Sequence, residues 1–582
     1  MPYSIHLPKN WRIDSVDDET AVSLAEEVGI SRELAGILAL RGICNADEAR
    51  RFLKPDDADL HDPRLLDGVE EAVKRTKLAI ESGEPIMIHG DYDADGVTAT
   101  ALLVRVFRIL KADVSWYIPR REKEGYDISR TAVDEAIDRG VKLIITVDCG
   151  SSAIDAVRYA RERGIDVIVT DHHEVGETLA PANVIINPHK PGCEYPFKEL
   201  AGVGVAFKFA EALVAECGLD AAAFRRRFCD LAAVGTAADV VALLGENRIL
   251  VKCGLDEMPR TGKKGLKALM EISGMIGEHI DSLAIMFWLA PRLNAAGRID
   301  DAGHAVELLL TTDDNAAAEI ANTLNEHNSR RKSEQERIVR EAIEQIAGKG
   351  LAETSKVFVL ASSNWNAGIV GIVAGRLTEQ YCRPSILIAM DEEGETGVGS
   401  ARSIKAFDIY GALTDCRHLL DRYGGHSQAA GLSISSENLD EFRDLIRSLA
   451  DERISDDDML PQISIDCEMP LSRANLQFAR EIKQLEPYGH CNREPVFLTR
   501  RCTVAAKRRI GQNNSHLKLS LKQGSGRPID CLAWGWGEND EEFRLGSLID
   551  VCYNIQINKF NGTETAQAVL KDARVSDGNA GD

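Results

Sequence analysis

No stretch of about 18 consecutive apolar residues occurs in this chain, so no membrane-spanning helix is expected. No C-x-x-C pair occurs among the 13 cysteines. The start, Met1-Pro2-Tyr3-Ser4-Ile5-His6-Leu7-Pro8, has no basic stretch followed by an apolar core, so it does not read as a signal peptide. An odd cysteine count without an extracellular signal favours free thiols in a reducing cytosol, hence a cytoplasmic protein. A G-x-S-x-G elbow is missing, which removes support for a serine nucleophile. Positive charge is scarce: 69 basic against 92 acidic residues give a net charge of −23. Such a chain does not coat nucleic acid with a generally basic surface. A local basic groove, or metal ions lying between protein carboxylates and phosphates, would overcome that repulsion.

What is present is ordinary for a globular protein, with 44% hydrophobic and 28% charged residues over 582 positions. That length suggests about three or four domains. Residues 1–60 have helical periodicity in three short pieces, the last stopped by Pro55, and read as a helical cap. From Gly83 onward, buried β-branched runs at 85–89, 114–118, 143–147, 166–170 and 183–186 alternate with helical segments. This pattern predicts an α/β domain over 61–312 built on an open, mostly parallel sheet. Such sheets bind ligands beyond the C-terminal ends of their strands. Residues 313–350 read as one connecting helix and 351–452 as a smaller α/β domain. Residues 453–575 carry five short candidate strands, at 495–498, 503–506, 517–521, 529–534 and 548–557, which fit a C-terminal OB-type β-barrel. The tail 576–582 is expected to be disordered.

Carboxylates gather where strands end. Asp91-Tyr92-Asp93-Ala94-Asp95-Gly96 directly follows the first strand. Alternate residues of an extended segment point the same way, so Asp91, Asp93 and Asp95 can converge. An EF-hand loop is excluded because its twelfth position holds Leu102 rather than glutamate. Asp148 ends the third strand, and Asp171-His172-His173 ends the next. Neighbouring strands lie about 5 Å apart, so these groups can share a pair of divalent cations. Oxygen donors suit Mg²⁺ or Mn²⁺.

These motifs, with Gly235-Thr236-Ala237-Ala238-Asp239 further on, resemble the successive motifs of the DHH phosphoesterase family in order and spacing. The resemblance implies Asp93, Asp95, Asp148, His172 and Asp239 as metal ligands, with Asp148 bridging two cations, Mn²⁺ or Mg²⁺. Asp91 and His89 would ligate or support the ligands from behind. Asp171 would orient a histidine, and His173 would face the substrate phosphate. With Asp93, Asp95, Asp148, His172 and Asp239, it completes the catalytic set.

Tyr423-Gly424-Gly425-His426 resembles the GGH signature of the DHH-associated domain and is expected to open a helix whose N-terminus cradles phosphate. Gly424, Gly425 and His426 become substrate contacts, as do Ser400 and Arg402 from one extended strand. Arg292, Arg298 and Arg120 are further candidates for contacts to a strand and its 5′ phosphate. The segment around Asn366 departs from the family pattern, which usually carries histidine there, and Asn366 receives no role.

The whole arrangement, with its long connector and terminal barrel, resembles the RecJ-type branch of that family. This implies a two-metal 5′→3′ exonuclease that hydrolyses single-stranded DNA to nucleoside 5′-monophosphates in recombination and repair. A single-strand-binding protein and a RecQ-type helicase are the implied partner proteins. In the barrel, Lys507, Arg508, Arg509, His516, Lys518 and Arg527 supply positive charge. Trp534, Trp536 and Phe560 either stack on bases or fill the barrel core. The competing readings are another DHH enzyme, a short-oligonucleotide or cyclic-dinucleotide phosphodiesterase or an inorganic pyrophosphatase or polyphosphatase, and an inactive single-strand-binding protein.

Overall fold

The structure, a computed structural model, describes residues 9–576 except 121–123, 126, 177, 276–279, 300 and 561. Beyond Ser576 the expected tail lies outside the described residues. The chain divides into two compact units. One comprises Ile13–Gly297, Asp301–Leu324 and Ser464–Asp582; the other comprises Met1–Arg12, Arg298–Asp300 and Asn325–Ile463.

The first unit contains a five-stranded sheet of β1 (Ile86–Gly90), β2 (Val114–Tyr117), β3 (Leu143–Val147), β4 (Asp166–Thr170) and β5 (Val184–Ile186), in the order β2-β1-β3-β4-β5. Every pairing in it is parallel. Alternate residues enter different cores. Ile86, Ile88, Leu143, Ile145 and Ile168 join one cluster, while Met87, Ile144, Val167 and Val169 join another. Burial on both faces is why β1, β3, β4 and β5 read as apolar runs, while edge strand β2 is half-buried throughout. The first cluster also takes in helices α1 (Ala94–Ile109), α2 (Gly202–Glu216) and α3 (Ala221–Ala238).

The second unit holds β6 (Phe358–Ser362), β7 (Ser385–Met390), β8 (Thr396–Arg402), β9 (Arg422–His426) and β10 (Ala429–Ser435), in the order β9-β10-β8-β7-β6. Only β6 and β7 pair in parallel; the other pairings are antiparallel. Here one expectation fails. The Gly424-Gly425-His426 stretch does not open a helix; it is edge strand β9 of a tight hairpin with β10. Gly425 shows why, with φ +139° and a position where a Cβ would lie 2.4 Å from the Ala429 carbonyl oxygen. Gly425 thus serves close strand pairing rather than a helical start.

Between the two sheets in sequence, the expected connector is a 35-residue helix, Asp314–Gly348.

The C-terminal strands are β11 (Phe497–Ile510), β12 (His516–Lys522), β13 (Ile529–Ala533), β14 (Leu548–Phe560) and β15 (Thr563–Val575). Pairing in the order β11-β12-β13-β15-β14, with β14 returning to β11, closes a five-strand barrel. Two strands expected within 495–506 are one, interrupted by register shifts against both neighbours and by Arg501 at φ 56°. The bulges break the apolar alternation that would have marked a continuous strand. β15 was not expected, because its threonines, Glu564, Gln567 and Asp572 dilute that alternation.

The N-terminal helices Asp18–Val28, Arg32–Leu40 and Ala46–Leu53 start at Asp17, Ser31 and Asn45, whose side chains accept backbone N–H bonds. Their Leu24, Leu34, Ile37, Leu38 and Phe52 share a core with barrel residues Phe497, Leu519, Val551 and Tyr553. The first and last parts of the chain thereby form one packed body.

Candidate metal centre

Register sets the site. Gly90, Val147, Thr170 and Ile186 lie side by side at the ends of β1, β3, β4 and β5. The next residues are Asp91, Asp148, Asp171 and Asn187, a polar row along the C-terminal edge of the sheet. The ladder runs one step past the strands, since the Asp148 amide donates to the Thr170 carbonyl at 2.9 Å and the Asp171 amide to the Ile186 carbonyl at 3.0 Å. Asp148 then turns sharply, with φ 61°, a left-handed conformation uncommon for residues other than glycine.

Helices deliver the remaining groups. Asp93 caps α1, its Oδ1 accepting from the amides of Asp95 at 2.9 Å and Gly96 at 3.1 Å. Asp95 lies in the first turn of that helix, and both its oxygens accept N–H bonds from the start of α2, Gly202 at 2.7 Å and Val203 at 2.9 Å. Asp239 follows the last turn of α3. Two glycines make this approach possible. A Cβ on Gly202 would lie 2.4 Å from Asp148 Oδ1, and one on Gly235 would lie 2.6 Å from Asp95 Oδ1.

The donor atoms form three overlapping trios, each within 4.8 Å: Asp91, Asp93 and Asp148; Asp148, His172 and His173; Asp95, His172 and Asp239. His172 Nε2 lies 3.1 Å from Asp148 Oδ1 and 3.5 Å from Asp239 Oδ2. His172 Nε2 and Asp239 Oδ2 are buried and make no hydrogen bond among the described residues. The hydrogen bond that joins His172 to the Leu200 backbone therefore falls on Nδ1, which leaves Nε2 as the donor for a cation.

The electrostatics agree with a cation site. Burial, then the charges of Asp95 and Asp93, push the pKa values of Asp148 and Asp239 far above the usual carboxylate range. Burial and Asp93 raise Asp95 to about 7. Burial lowers His172 to about 4, keeping its imidazole neutral. Five crowded carboxylates beside a neutral imidazole are stable as anions only with positive charge among them, and hard oxygen donors with imidazole suit Mn²⁺ or Mg²⁺.

Asp171 sits behind this set. Burial would raise its pKa, but the hydrogen bond to His173 Nδ1, at 2.8 Å, and its other partners hold it at about 2. It also accepts the amides of His172, His173 and Ser151. In turn His173 is raised by Asp171 against the effect of burial. His89 is fully buried, stacks on Tyr117 and lies with Nδ1 3.6 Å from Cys149 Sγ; burial lowers it to about 4. It belongs to none of the three trios.

The substrate-contact candidates fall in several places. Arg120 pairs with Asp301 at 3.2 Å. Arg292 is buried and donates to the Trp288 carbonyl at 2.6 Å. In the second unit Arg298 donates to the Gly368 carbonyl. There too, Ser400 and Arg402 share one strand, with Arg402 Nη1 3.1 Å from Ser400 Oγ. Gly424, Gly431 and Ser400 stand opposite one another on successive strands, as do His426, Ala429 and Arg402. Asn366 caps the helix Ala367–Tyr381 by accepting from the Gly368 amide at 2.7 Å.

Three residues of the metal region were not anticipated. Asn187 is fully buried and donates to Ser151 Oγ and the His173 carbonyl, fixing the loop that carries both histidines. Its signal was available: it follows a strand just as Asp148 does. Asn294 accepts the Ala94 amide at 2.7 Å and so holds the start of α1. Gly202 has no sequence signal beyond being glycine.

The sheet and its acidic edge define an α/β protein of the DHH class. Family models agree: the DHH family N-terminal domain matches residues 85–236, the DHHA1 domain 354–452 and the RecJ OB domain 465–572. The single-stranded-DNA-specific exonuclease RecJ of Bacillus subtilis is 40% identical over 97% of this chain and 71% of its own length. The crystal structure of RecJ from Thermus thermophilus in complex with Mn²⁺ matches with a TM-score of 0.83 and 32% identity, covering 98% of this chain and 80% of that one. Its complex with Mg²⁺ matches at 0.77 and 31% identity, covering 98% and 79%. The chain belongs to the RecJ family.

Proposed function

We propose that this chain is a metal-dependent exonuclease that hydrolyses single-stranded DNA from the 5′ end to nucleoside 5′-monophosphates, acting in DNA recombination and repair. The observation that carries the reading is the set of overlapping donor trios at the sheet edge, with Asp148 and His172 each shared by two of them. Asp93, Asp95, Asp148, His172 and Asp239, with Asp91, would hold two Mn²⁺ or Mg²⁺ ions. When bound, such ions neutralise a scissile phosphate and lower the pKa of water. Asp171 fixes the His173 ring through Nδ1, and His173 would meet a phosphate oxygen. Ser400, Arg402 and the β9–β10 hairpin with Gly424, Gly425 and His426 would bind the terminal phosphate, and Arg120, Arg292 and Arg298 would contact the strand.

The same reading takes 1–60 as a cap, 61–312 as the DHH domain, 313–350 as the connector, 351–452 as the DHH-associated domain and 453–575 as the single-strand-binding barrel. Resemblance alone adds a cytoplasmic setting with a single-strand-binding protein and a RecQ-type helicase. No described helix is long and apolar enough to cross a membrane.

The test is incubation of end-labelled single-stranded and duplex DNA with the protein and Mn²⁺. Mononucleotides released from the 5′ end of the single strand alone are expected. Hydrolysis confined to dinucleotides, or binding without hydrolysis, overturns the proposal.

A further inference from the structure

Helices α1 and α3 each have one end at the acidic cluster. Gly235, near the end of α3, approaches Asp95, at the start of α1, so the two run antiparallel. Their other ends meet in a second place. Arg105 and Arg108 from α1 and Arg226 and Arg227 from α3 line one cavity of about 440 Å³ together with Arg260 and Lys263. Along α1, Arg108 is about 20 Å from Asp95 at 1.5 Å per residue.

The cavity has an excess of positive charge. Its two carboxylates are already engaged: Asp230 with Lys263 at 2.7 Å, and Glu257 with Arg260 at 3.2 Å. Arg108, Arg226 and Arg227 make no ion pair among the described residues. Arg105 donates through Nε to the Leu309 carbonyl, while its Nη2 is buried without a hydrogen-bond partner among the described residues. The guanidinium groups feel one another: burial lowers the Arg105 pKa, Asp230 opposes this, and Arg108 and Arg227 add to the lowering. Thr261, Gly262 and Lys263 complete the wall and lead into the nine-residue helix Lys264–Ile272, whose N-terminus has no side-chain cap.

A structural explanation covers half of this. Cations in the last turns of a helix are favoured by its dipole, which accounts for Arg105 and Arg108. It does not account for Arg226 and Arg227, which lie in the second turn of α3, beyond the terminal turn in which the dipole acts. In a chain of net charge −23, four guanidinium groups are gathered here, and none of the four is in an ion pair among the described residues. A bound polyanion supplies the balancing charge.

We propose that this cavity binds an oligophosphate anion, a nucleoside di- or triphosphate or inorganic pyrophosphate, at a site separate from the acidic cluster. Its volume falls in the range of about 300–1,000 Å³ common for small-molecule sites. A nucleic-acid strand fits less well, because strand grooves interleave cations with exposed aromatic faces, and the one aromatic ring in this wall, Phe228, is buried.

The test is calorimetric titration of ATP and of pyrophosphate into the full chain in EDTA, so that no divalent cation draws phosphate to the acidic cluster. Saturable one-to-one binding is expected, weakened at least tenfold in the double variant Arg226→Glu/Arg227→Glu, both positions being exposed. Equal affinities would identify the phosphates as the ligand, and an ATP preference of tenfold or more would identify a nucleotide. Thermal melting reports whether the variant is folded. If it is not, the exposed single substitution Arg108→Glu replaces it and is expected to weaken binding at least threefold. Absence of saturable binding, undiminished binding in the folded variants, or displacement of ATP by a short oligodeoxynucleotide overturns the proposal.

Discussion

Asp148 bears the greatest electrostatic load. It is buried to 2% exposure, held in a left-handed conformation, and shared by two of the donor trios. Asp148→Asn keeps the shape of the side chain, turns one acceptor oxygen into an amide donor and removes one negative charge from the residue proposed to bridge two cations. Mn²⁺ binding by calorimetry is expected to lose one of two sites, and cleavage of single-stranded DNA to fall by at least about 100-fold, or 2.7 kcal/mol in barrier. The melting temperature without metal is expected to rise or stay level, because the substitution relieves repulsion from Asp93 and Asp95. Retention of more than a few per cent of activity would show that Asp148 does not bridge. At this scale the sequence is readable where chemistry and position coincide. Asp91, Asp148 and Asp171 each follow an apolar run, so strand prediction alone aligns them. Asp239 does not; in sequence it is a carboxylate at the end of an apolar helical stretch, and only family resemblance marks it. Asn187 obeys the same strand-end rule, but an amide carries no charge and so gives no sign of a cation site.

At the scale of elements, the fit between α2 and the sheet edge matters most. Gly202 lets the start of α2 bring its N–H groups to Asp95 while passing against Asp148. Gly202→Ala places a methyl group 2.4 Å from Asp148 Oδ1, so the helix or the aspartate must move. A stability loss of about 1–3 kcal/mol is expected from such overpacking, measured by urea unfolding. Cleavage is expected to fall at least tenfold at saturating Mn²⁺; a variant with unchanged cleavage would show that the cluster tolerates the shift. Elements differ in how plainly they are written. β1, β3 and β4 are buried on both faces and appear as unbroken β-branched runs. β9 is an edge strand of glycine and exposed side chains, with no apolar face to mark it, and it passed for a helix start. β15 escaped for a related reason, its polar residues hiding a strand whose position is set by pairing with β14.

At the scale of the molecule, the barrel is joined to the rest of the first unit by burial rather than by a tether. Arg248 is 1% exposed and donates to the carbonyls of Phe52, Gln484, Leu485, Glu486 and Pro487, which come from the N-terminal helices and the barrel's leading segment. Burial, then Arg41, lowers its pKa to about 9, so it remains protonated at neutral pH. Arg248→Met takes that donor from the carbonyls of Phe52, Gln484 and Glu486, while Leu485 and Pro487 keep the Asn492 side-chain amide, and a loss of about 3–5 kcal/mol is expected in urea unfolding monitored by circular dichroism. A change below about 1 kcal/mol would mean that water replaces the guanidinium.

This packing also rules out removal of the barrel as a clean test of strand binding, because deletion would strip the apolar faces of the N-terminal helices. Point changes on its surface avoid that. The question left open by sequence, whether its aromatics stack or fill the core, divides by residue. Trp534 and Phe560 are 55% and 71% exposed, whereas Trp536 stacks on Phe543 beside the core. Among the basic residues, Lys507 and Arg509 approach Asp540 and Lys518 pairs with Asp530, while Arg508 and Arg527 are exposed and make no ion pair among the described residues. Base stacking and phosphate contact leave different traces. Trp534→Ala is expected to weaken binding of a single strand by about 1–3 kcal/mol while leaving the slope of affinity against salt unchanged. Arg508→Ala is expected to lower that slope by about 0.7, the value for one phosphate contact on a single strand. Fluorescence anisotropy across a salt series separates the two, and equal slopes in wild type and Arg508→Ala would remove that arginine from the path of the strand.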